Sequence, residues 1–337
     1  MCPSLAGIRM GNEASDGDDT FLSPDDAFTA IGHETRVRIL ETLAAADRAN
    51  RPLAFSELRD RVGTIDSAQF NYHLDKLVGH FVERTDDGYG FRPAGKRVAE
   101  AILSGAVTDD PVLELTRIDR TCQYCGARIE MTYRQERAAT YCPECAGTYG
   151  NSNVRDQVEE IPDEYGFLGN LDLPPAGITD RTPTEVHEAA QTWSLSDRLM
   201  AAGGMCPRCS ATLDEWIDVC EDHQYANDGC DECENRYAVL HSASCPNCTF
   251  DQRVPFGLSL LDDTKLQAFL TDHGINLVTP AHDRYSSVMM DYEETVLGTE
   301  PFEAQFTFTA ENDAISLTVD DEFDVVDASK QGAPGTS

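Results

Sequence analysis

Apolar residues recur at helical spacing in the first third of the chain. Ala27, Ile31, Ile39, Leu40 and Leu43 follow a 3.6-residue period, which predicts one or two helices ending near residue 47. Ser23-Pro24-Asp25-Asp26 supplies an N-cap with proline at the first helical position. A short helix is predicted from Phe55-Ser56-Glu57-Leu58 to about Gly63, and Asp66 or Ser67 caps another with Phe70, Leu74 and Leu77 on one face. The run from Phe81 to Arg92 reads as strand, turn, strand around Asp87-Gly88, a hairpin signal, and a last helix is expected over 96–104. Further on, the pattern predicts strands at 127–133 and 140–141, a helix at 183–202, hairpin-like segments at 213–219 and 236–240, a helix at 262–273, and strands at 302–308, 314–319 and 323–326. Residues 107–120 read as a connection and 151–182 as a linker containing Pro162, Pro174 and Pro175; 1–19 and 328–337 read as disordered ends.

Helix, short helix, helix, hairpin, helix is the order of a winged helix-turn-helix, here over residues 20–106. In that motif the second helix enters the major groove. With Phe70, Leu74 and Leu77 turned inward, Ser67, Gln69, Asn71, Tyr72, His73 and Lys76 face outward. Amide side chains pair with adenine edges, and Tyr, His and Lys reach phosphates or bases. Arg84, Tyr89 and Arg92 on the hairpin are the candidate wing contacts.

Two phrases carry a family resemblance. Ala30-Ile31-Gly32-His33-Glu34-Thr35-Arg36-Val37-Arg38-Ile39-Leu40 resembles the first-helix phrase of the ArsR-like winged helix-turn-helix regulators. Ser67-Ala68-Gln69-Phe70-Asn71-Tyr72-His73-Leu74-Asp75-Lys76-Leu77 is similar to that family's recognition helix. The resemblance covers about a quarter of the chain. It implies a prokaryotic transcription regulator acting on double-stranded DNA, with a second copy of the chain and the transcription machinery as further partners. The family's thiol metal-sensing motif is missing, because no cysteine lies between Cys2 and Cys122.

The other two-thirds carry the candidate metal chemistry. Ten of the 12 cysteines form C-x-x-C pairs: Cys122/Cys125, Cys142/Cys145, Cys206/Cys209, Cys230/Cys233 and Cys245/Cys248. Cys220 is followed by His223 at the same spacing. Twelve ligands make three four-coordinate sites for Zn²⁺. Cys122, Cys125, Cys142 and Cys145 form a zinc ribbon over 118–150. For the four knuckles within 203–250, sequential pairing is expected: Cys206, Cys209, Cys220 and His223, then Cys230, Cys233, Cys245 and Cys248. A cross-braced pairing of first with third and second with fourth is the alternative, and spacing does not decide between them. His241 is the competing imidazole, off the knuckle spacing. Every site has four protein ligands and no open position, so the metals read as structural and the chain as a non-enzyme.

Charge refines this picture. The chain of 337 residues has a net charge of −34, with 60 acidic and 26 basic residues. Only Lys76, Lys96, Lys265 and Lys330 are lysines. That style resembles the acidic proteins of salt-loving archaea, where surface charge maintains solubility. Residues 20–106 escape it, with 11 basic against 13 acidic residues, as a surface approaching phosphate requires. No apolar run is long enough to span a membrane and no secretory signal is visible, so a cytoplasmic location is expected. The expected fold is multidomain α+β: a winged helix-turn-helix, then zinc ribbons, then a small α+β unit within a C-terminal domain at 183–327. Trp193, Trp216, Tyr285, Met289, Met290 and Tyr292 read as core, with a ligand pocket as the alternative. The alternative functions are a basal transcription factor resembling TFE and a zinc-dependent enzyme or RNA-processing factor.

Overall fold

The computed structural model describes residues 22–46, 51–63, 66–150, 161–226, 229–278 and 282–332. The expected disordered lead-in at 1–19, Cys2 and the last five residues lie outside the described residues. The chain is mixed α+β, with several small sheets, and divides into two compact units, Met1–Leu103 and Ser104–Ser337.

The first unit follows the apolar pattern closely. Helix α1 spans Pro24–Ile31, capped by the Ser23 hydroxyl, which accepts from the Asp26 amide at 3.3 Å. Helices α2 (Glu34–Ala45), α3 (Phe55–Val62) and α4 (Ser67–Asp75) follow. Asp66 caps α4, accepting from the Ala68 amide at 2.6 Å. Strands β1 (Val82–Thr85) and β2 (Gly88–Phe91) form the hairpin, with Thr85 opposite Gly88. Leu53 adds a short third edge by exchanging two backbone hydrogen bonds with Tyr89, at 3.0 and 2.9 Å. Helix α5, Pro93–Leu103, begins three residues before the expected Lys96, because Pro93 suits a first helical position. Ile39, Leu40, Leu43, Leu58, Phe70 and Leu74 are buried in one core that pins α2, α3 and α4 together.

The second unit holds three larger sheets. Strands β3 (Leu113–Thr121), β4 (Arg128–Arg134), β5 (Arg137–Cys142) and β6 (Gly166–Asp172) pair antiparallel in that order. Two of these correct the sequence reading. β3 lies in the expected connection at 107–120, and β6 lies in the expected linker at 151–182. Neither alternates cleanly: β3 pairs across two register shifts and β6 contains Gly166 and Gly169.

Helix α6, Pro183–Ala202, opens with a capping box between Thr182 and Glu185. Its first half packs Val186 and Ala190 against Met131 and Leu171 of the first sheet. Its second half packs Leu195 and Leu199 against Phe256 and Leu258 of another core. The helix thus joins two cores that neither sheet alone would complete.

After α6 come β7 (Asp214–Val219), the two-residue strands β8 (Tyr225–Ala226) and β9 (Gly229–Cys230), β10 (Val239–Ser244) and β11 (Asp251–Pro255). β10 is central, with β7 and β11 antiparallel on either side. A 3-10 segment, Phe256–Asp262, leads to α7 (Thr264–Asp272) and then α8 (His282–Met289), a helix the pattern did not predict. Strands β12 (Glu293–Thr299), β13 (Phe302–Ala310), β14 (Asp313–Val319) and β15 (Val325–Gly332) form a four-stranded meander. Residues 328–332, expected to be disordered, are the second half of β15 and pair with β14. Phe256, Phe306, Phe308 and Leu317 are fully buried beneath this sheet. Tyr285, Met289 and Tyr292 are core as expected, but Trp193 and Trp216 are about half exposed.

Candidate functional site

The twelve predicted ligands come together in three groups of four. They are Cys122, Cys125, Cys142 and Cys145; Cys206, Cys209, Cys245 and Cys248; and Cys220, His223, Cys230 and Cys233. Within each group every donor atom lies within 4.8 Å of the others, so each can hold a metal ion. The first group is as predicted. The other two overturn both sequential and cross-braced pairing, because the first knuckle meets the fourth and the second meets the third.

Strand pairing explains the nesting. β7 runs antiparallel to β10, with Asp214 opposite Ser244 at one end and Val219 opposite Val239 at the other. A knuckle just before β7 therefore lies beside the one just after β10, which joins 206/209 to 245/248. The residues just after β7 lie beside those just before β10, which joins 220/223 to 230/233. One group closes each end of the same strand pair.

The knuckle backbones share a local design. The Cys122, Cys206 and Cys245 amides donate to the Ala127, Ala211 and Phe250 carbonyls, at 2.7, 2.8 and 2.9 Å. The first cysteine of three knuckles also accepts at its carbonyl from the residue four positions later: Gly126 at 2.9 Å, Ser210 at 2.8 Å and Glu234 at 2.7 Å. All three of those residues have positive φ, between 61 and 75°. Gly126 does this without strain, whereas Ser210 and Glu234 hold a conformation L-residues rarely adopt.

The donor sets fit a tetrahedral, borderline-soft cation. Bonds of about 2.3 Å to four thiolates place sulfurs about 3.8 Å apart. The Sγ separations are 3.7 Å for Cys122–Cys145, 3.4 Å for Cys125–Cys142, 3.5 Å for Cys206–Cys248 and 3.4 Å for Cys209–Cys245. Such crowding splits the thiols' acidities: Cys122 is pushed up by its contacts with Cys142 and Cys145, while contact with Cys122 and Cys142 lowers Cys145 to about 4. In the third group the His223 Nδ1 lies 3.5 Å from the Cys233 Sγ. Its Nε2–H donates to the Arg236 carbonyl at 3.1 Å, which orients the ring and leaves Nδ1 for an ion. Burial also lowers the His223 pKa, favouring the neutral imidazole that ligation needs. His241 is no rival: it is buried, 3.2 Å from Glu215 and edge-on to Phe256.

The first and third groups are physically linked, which the sequence pattern did not reveal. The Arg236 amide donates to the Thr148 carbonyl at 2.8 Å, and its guanidinium lies 3.8 Å from the centre of the Tyr124 ring. The Tyr124 and Thr148 hydroxyls are 2.9 Å apart. Tyr124 sits between two ligands of one group, and Arg236 holds the histidine of the other. The backbones also come close here: a Cβ on Gly150 would lie 2.6 Å from the Glu234 carbonyl oxygen.

In the first unit the candidate DNA contacts divide. Ser67, Gln69, Tyr72 and Lys76 on or beside α4 are exposed, with the Lys76 ammonium 5.6 Å from the Tyr72 ring centre. Asn71 is exposed but donates to Asp75 at 2.8 Å. His73 is half-buried, its ring 4.1 Å from that of His33, and burial lowers its pKa. Arg84 is exposed on β1. Two wing residues need correction. Tyr89 is buried in the core against Phe55, so its ring cannot reach a duplex. Arg92 is half-buried and donates to the Gly79 carbonyl, which ties the hairpin to the end of α4 rather than offering a free cation.

Among the described residues no helix is long and apolar enough to cross a membrane. No curated protein matches the sequence, and no solved structure matches it. Two family models do. One, described as a domain of unknown function (DUF7347), matches residues 24–102, within the first unit. The other, described as a domain of unknown function (DUF7351), matches residues 119–325 and so takes in all three cysteine groups. Because that match covers more than half of the chain, the protein belongs to the DUF7351 family, with a DUF7347 domain ahead of it.

Proposed function

We propose that this protein is a sequence-specific, DNA-binding transcription regulator of the ArsR-like type. In this reading the first unit is a winged helix-turn-helix with α4 as its recognition helix. The observation that carries it is the division of α4. Phe70 and Leu74 are buried on one side, while Ser67, Gln69 and Tyr72, with Lys76 beyond the helix end, are exposed on the other. This polar row lies in a segment where basic and acidic residues nearly balance, 11 against 13 over residues 20–106. Gln69 offers both an acceptor and a donor to a base edge, and Lys76 a phosphate contact.

The three cysteine groups hold Zn²⁺ as structural ions in ribbon-like folds. Each is filled by four protein donors and none contains a carboxylate, which leaves no position for a reacting water. The second unit is then the partner-facing or effector-facing half of a regulator, not a catalyst.

Genome-wide mapping of bound DNA at native salt tests this reading, comparing the wild-type chain with a Gln69→Ala/Lys76→Ala double variant. Discrete peaks that share a short motif and disappear in the variant are expected. Enrichment at every active promoter would favour a basal factor that works with the polymerase, and no enrichment at all would remove DNA binding from the account.

A further inference from the structure

The second unit contains a cleft of about 430 Å³, walled by the first sheet, α6, β11 and α8. Its volume is that of a small-molecule site. The unusual feature is its cations. Residues 104–337 carry only 14 basic residues against 43 acidic, yet four arginines line this cleft: Arg120, Arg137, Arg198 and Arg253.

Three of them have carboxylate partners. Arg120 pairs with Glu188, Arg137 lies 3.8 Å from Asp172, and Arg253 lies 3.3 Å from Asp218. Arg198 differs. Among the described residues no carboxylate lies within 4.0 Å of it; the adjacent Asp197 pairs with Arg208 at 3.2 Å, and Arg198 acts on that carboxyl more weakly than Arg208 does. Beside it stands Tyr285, 5% exposed, whose hydroxyl makes no hydrogen bond of normal geometry although Arg198 acts on it. Gln191, about two helical turns before Arg198, uses its Nε2 on Ser286 at 3.5 Å and leaves a buried Oε1 without a partner. A buried polar atom without a partner is costly, so the Gln191 Oε1 and the Tyr285 hydroxyl call for a ligand or water in this cleft.

The geometry points to this cleft as a binding site for a small organic monoacid, its carboxylate held by the Arg198 guanidinium and the Tyr285 hydroxyl. A planar guanidinium matches a carboxylate with two parallel hydrogen bonds. Leu195, Leu258, Phe167 and Met290 supply apolar wall for the rest of the molecule. Asp172, Asp197 and Asp251 also line the cleft. With Arg198 the one cleft arginine that has no carboxylate within 4.0 Å among the described residues, those carboxylates disfavour a phosphate dianion or a polyanion and select a single negative charge. The site does not depend on the DNA-binding reading.

Titration calorimetry on the full, metal-loaded chain tests it with phenylacetate and octanoate, each against its neutral amide. At least one acid is expected to bind tenfold or more tightly than its amide. Arg198→Gln should bring that ratio within twofold, and Tyr285→Phe should weaken acid binding severalfold with metal content unchanged. Three results would overturn the site: no binding of either acid at 10 mM, equal binding of acid and amide, or a preference that survives in Arg198→Gln. If Arg198→Gln does not fold, Tyr285→Phe decides alone, since it removes only one oxygen; unchanged acid affinity there rejects the proposal.

Discussion

Glu294 places a carboxylate where the fold admits little water. It sits on β12, accepts the Ala238 amide, and keeps its other oxygen buried without a partner. Burial raises its pKa from 4.5 to about 7, against the lowering effect of the Ala238 and Val239 amides. Between those values the folded protein keeps a proton that the unfolded chain has released, so this group's contribution is fully present below about 4.5 and is lost as pH rises through about 7. At about 1.4 kcal/mol per unit, the shift bounds the effect at roughly 3 kcal/mol. Glu294→Gln keeps an acceptor for the amide and cannot ionise. Its stability relative to wild type should therefore climb by about 1–3 kcal/mol between pH 5 and pH 8, read from urea midpoints of both proteins in the same buffers. A difference that stays flat across that range would mean that the Glu294 carboxyl is solvated.

At the scale of elements, the decisive fact is that β7 and β10 run antiparallel with a four-ligand group able to hold a metal at each end. That arrangement makes a sharp prediction about metal content. Cys206→Ser with Cys248→Ser disables one group, so native mass measurement should find one ion fewer than wild type. Cys206→Ser with Cys220→Ser touches two groups and should cost two. Sequential pairing requires the second double variant to lose only one. The ligand residues themselves were legible in the sequence, because C-x-x-C spacing reflects the local knuckle turn. Their partnership was not, because it depends on strand pairing between residues 20 to 30 positions apart, such as Val219 with Val239 and Asp214 with Ser244, and spacing carries no record of that. The same division runs through the fold. α2, α3 and α4 were readable because Ile39, Leu43, Phe70 and Leu74 keep a helical period in a small core. β3 and β6 were hidden because their burial is set by neighbouring strands and by α6, and their own residues barely alternate. Tyr89 shows the limit at a candidate site: a hairpin position alone does not say which face of a two-stranded ribbon meets the core, and the Leu53 edge turns that face inward.

At the scale of the whole molecule, charge is divided between the two units. Met1–Leu103 has 12 basic and 17 acidic residues, whereas Ser104–Ser337 has 14 and 43. The second unit must therefore fold against much more self-repulsion, and its ion pairs are mostly exposed, such as Arg128–Asp119 and Arg284–Glu311, so they offset little of it. Screening is the remaining remedy. The Debye length is about 3 Å at 1 M salt and about 10 Å at 0.1 M, so dilution restores repulsion between acidic groups that concentrated salt had hidden. Lowering KCl from 2 M to 0.1 M should destabilise the second unit first, with each 1 kcal/mol of restored repulsion lowering its melting midpoint by about 2–4 °C. Limited proteolysis of the full chain, with fragments identified by mass, separates the units: cleavage should spread through residues 104–337 at low salt while 22–103 stays protected. Replacing KCl by an equal concentration of sucrose should not restore protection, because sucrose strengthens burial without screening charge. Equal loss of protection in both units would mean that salt acts on burial in general and that the uneven charge is not its cause.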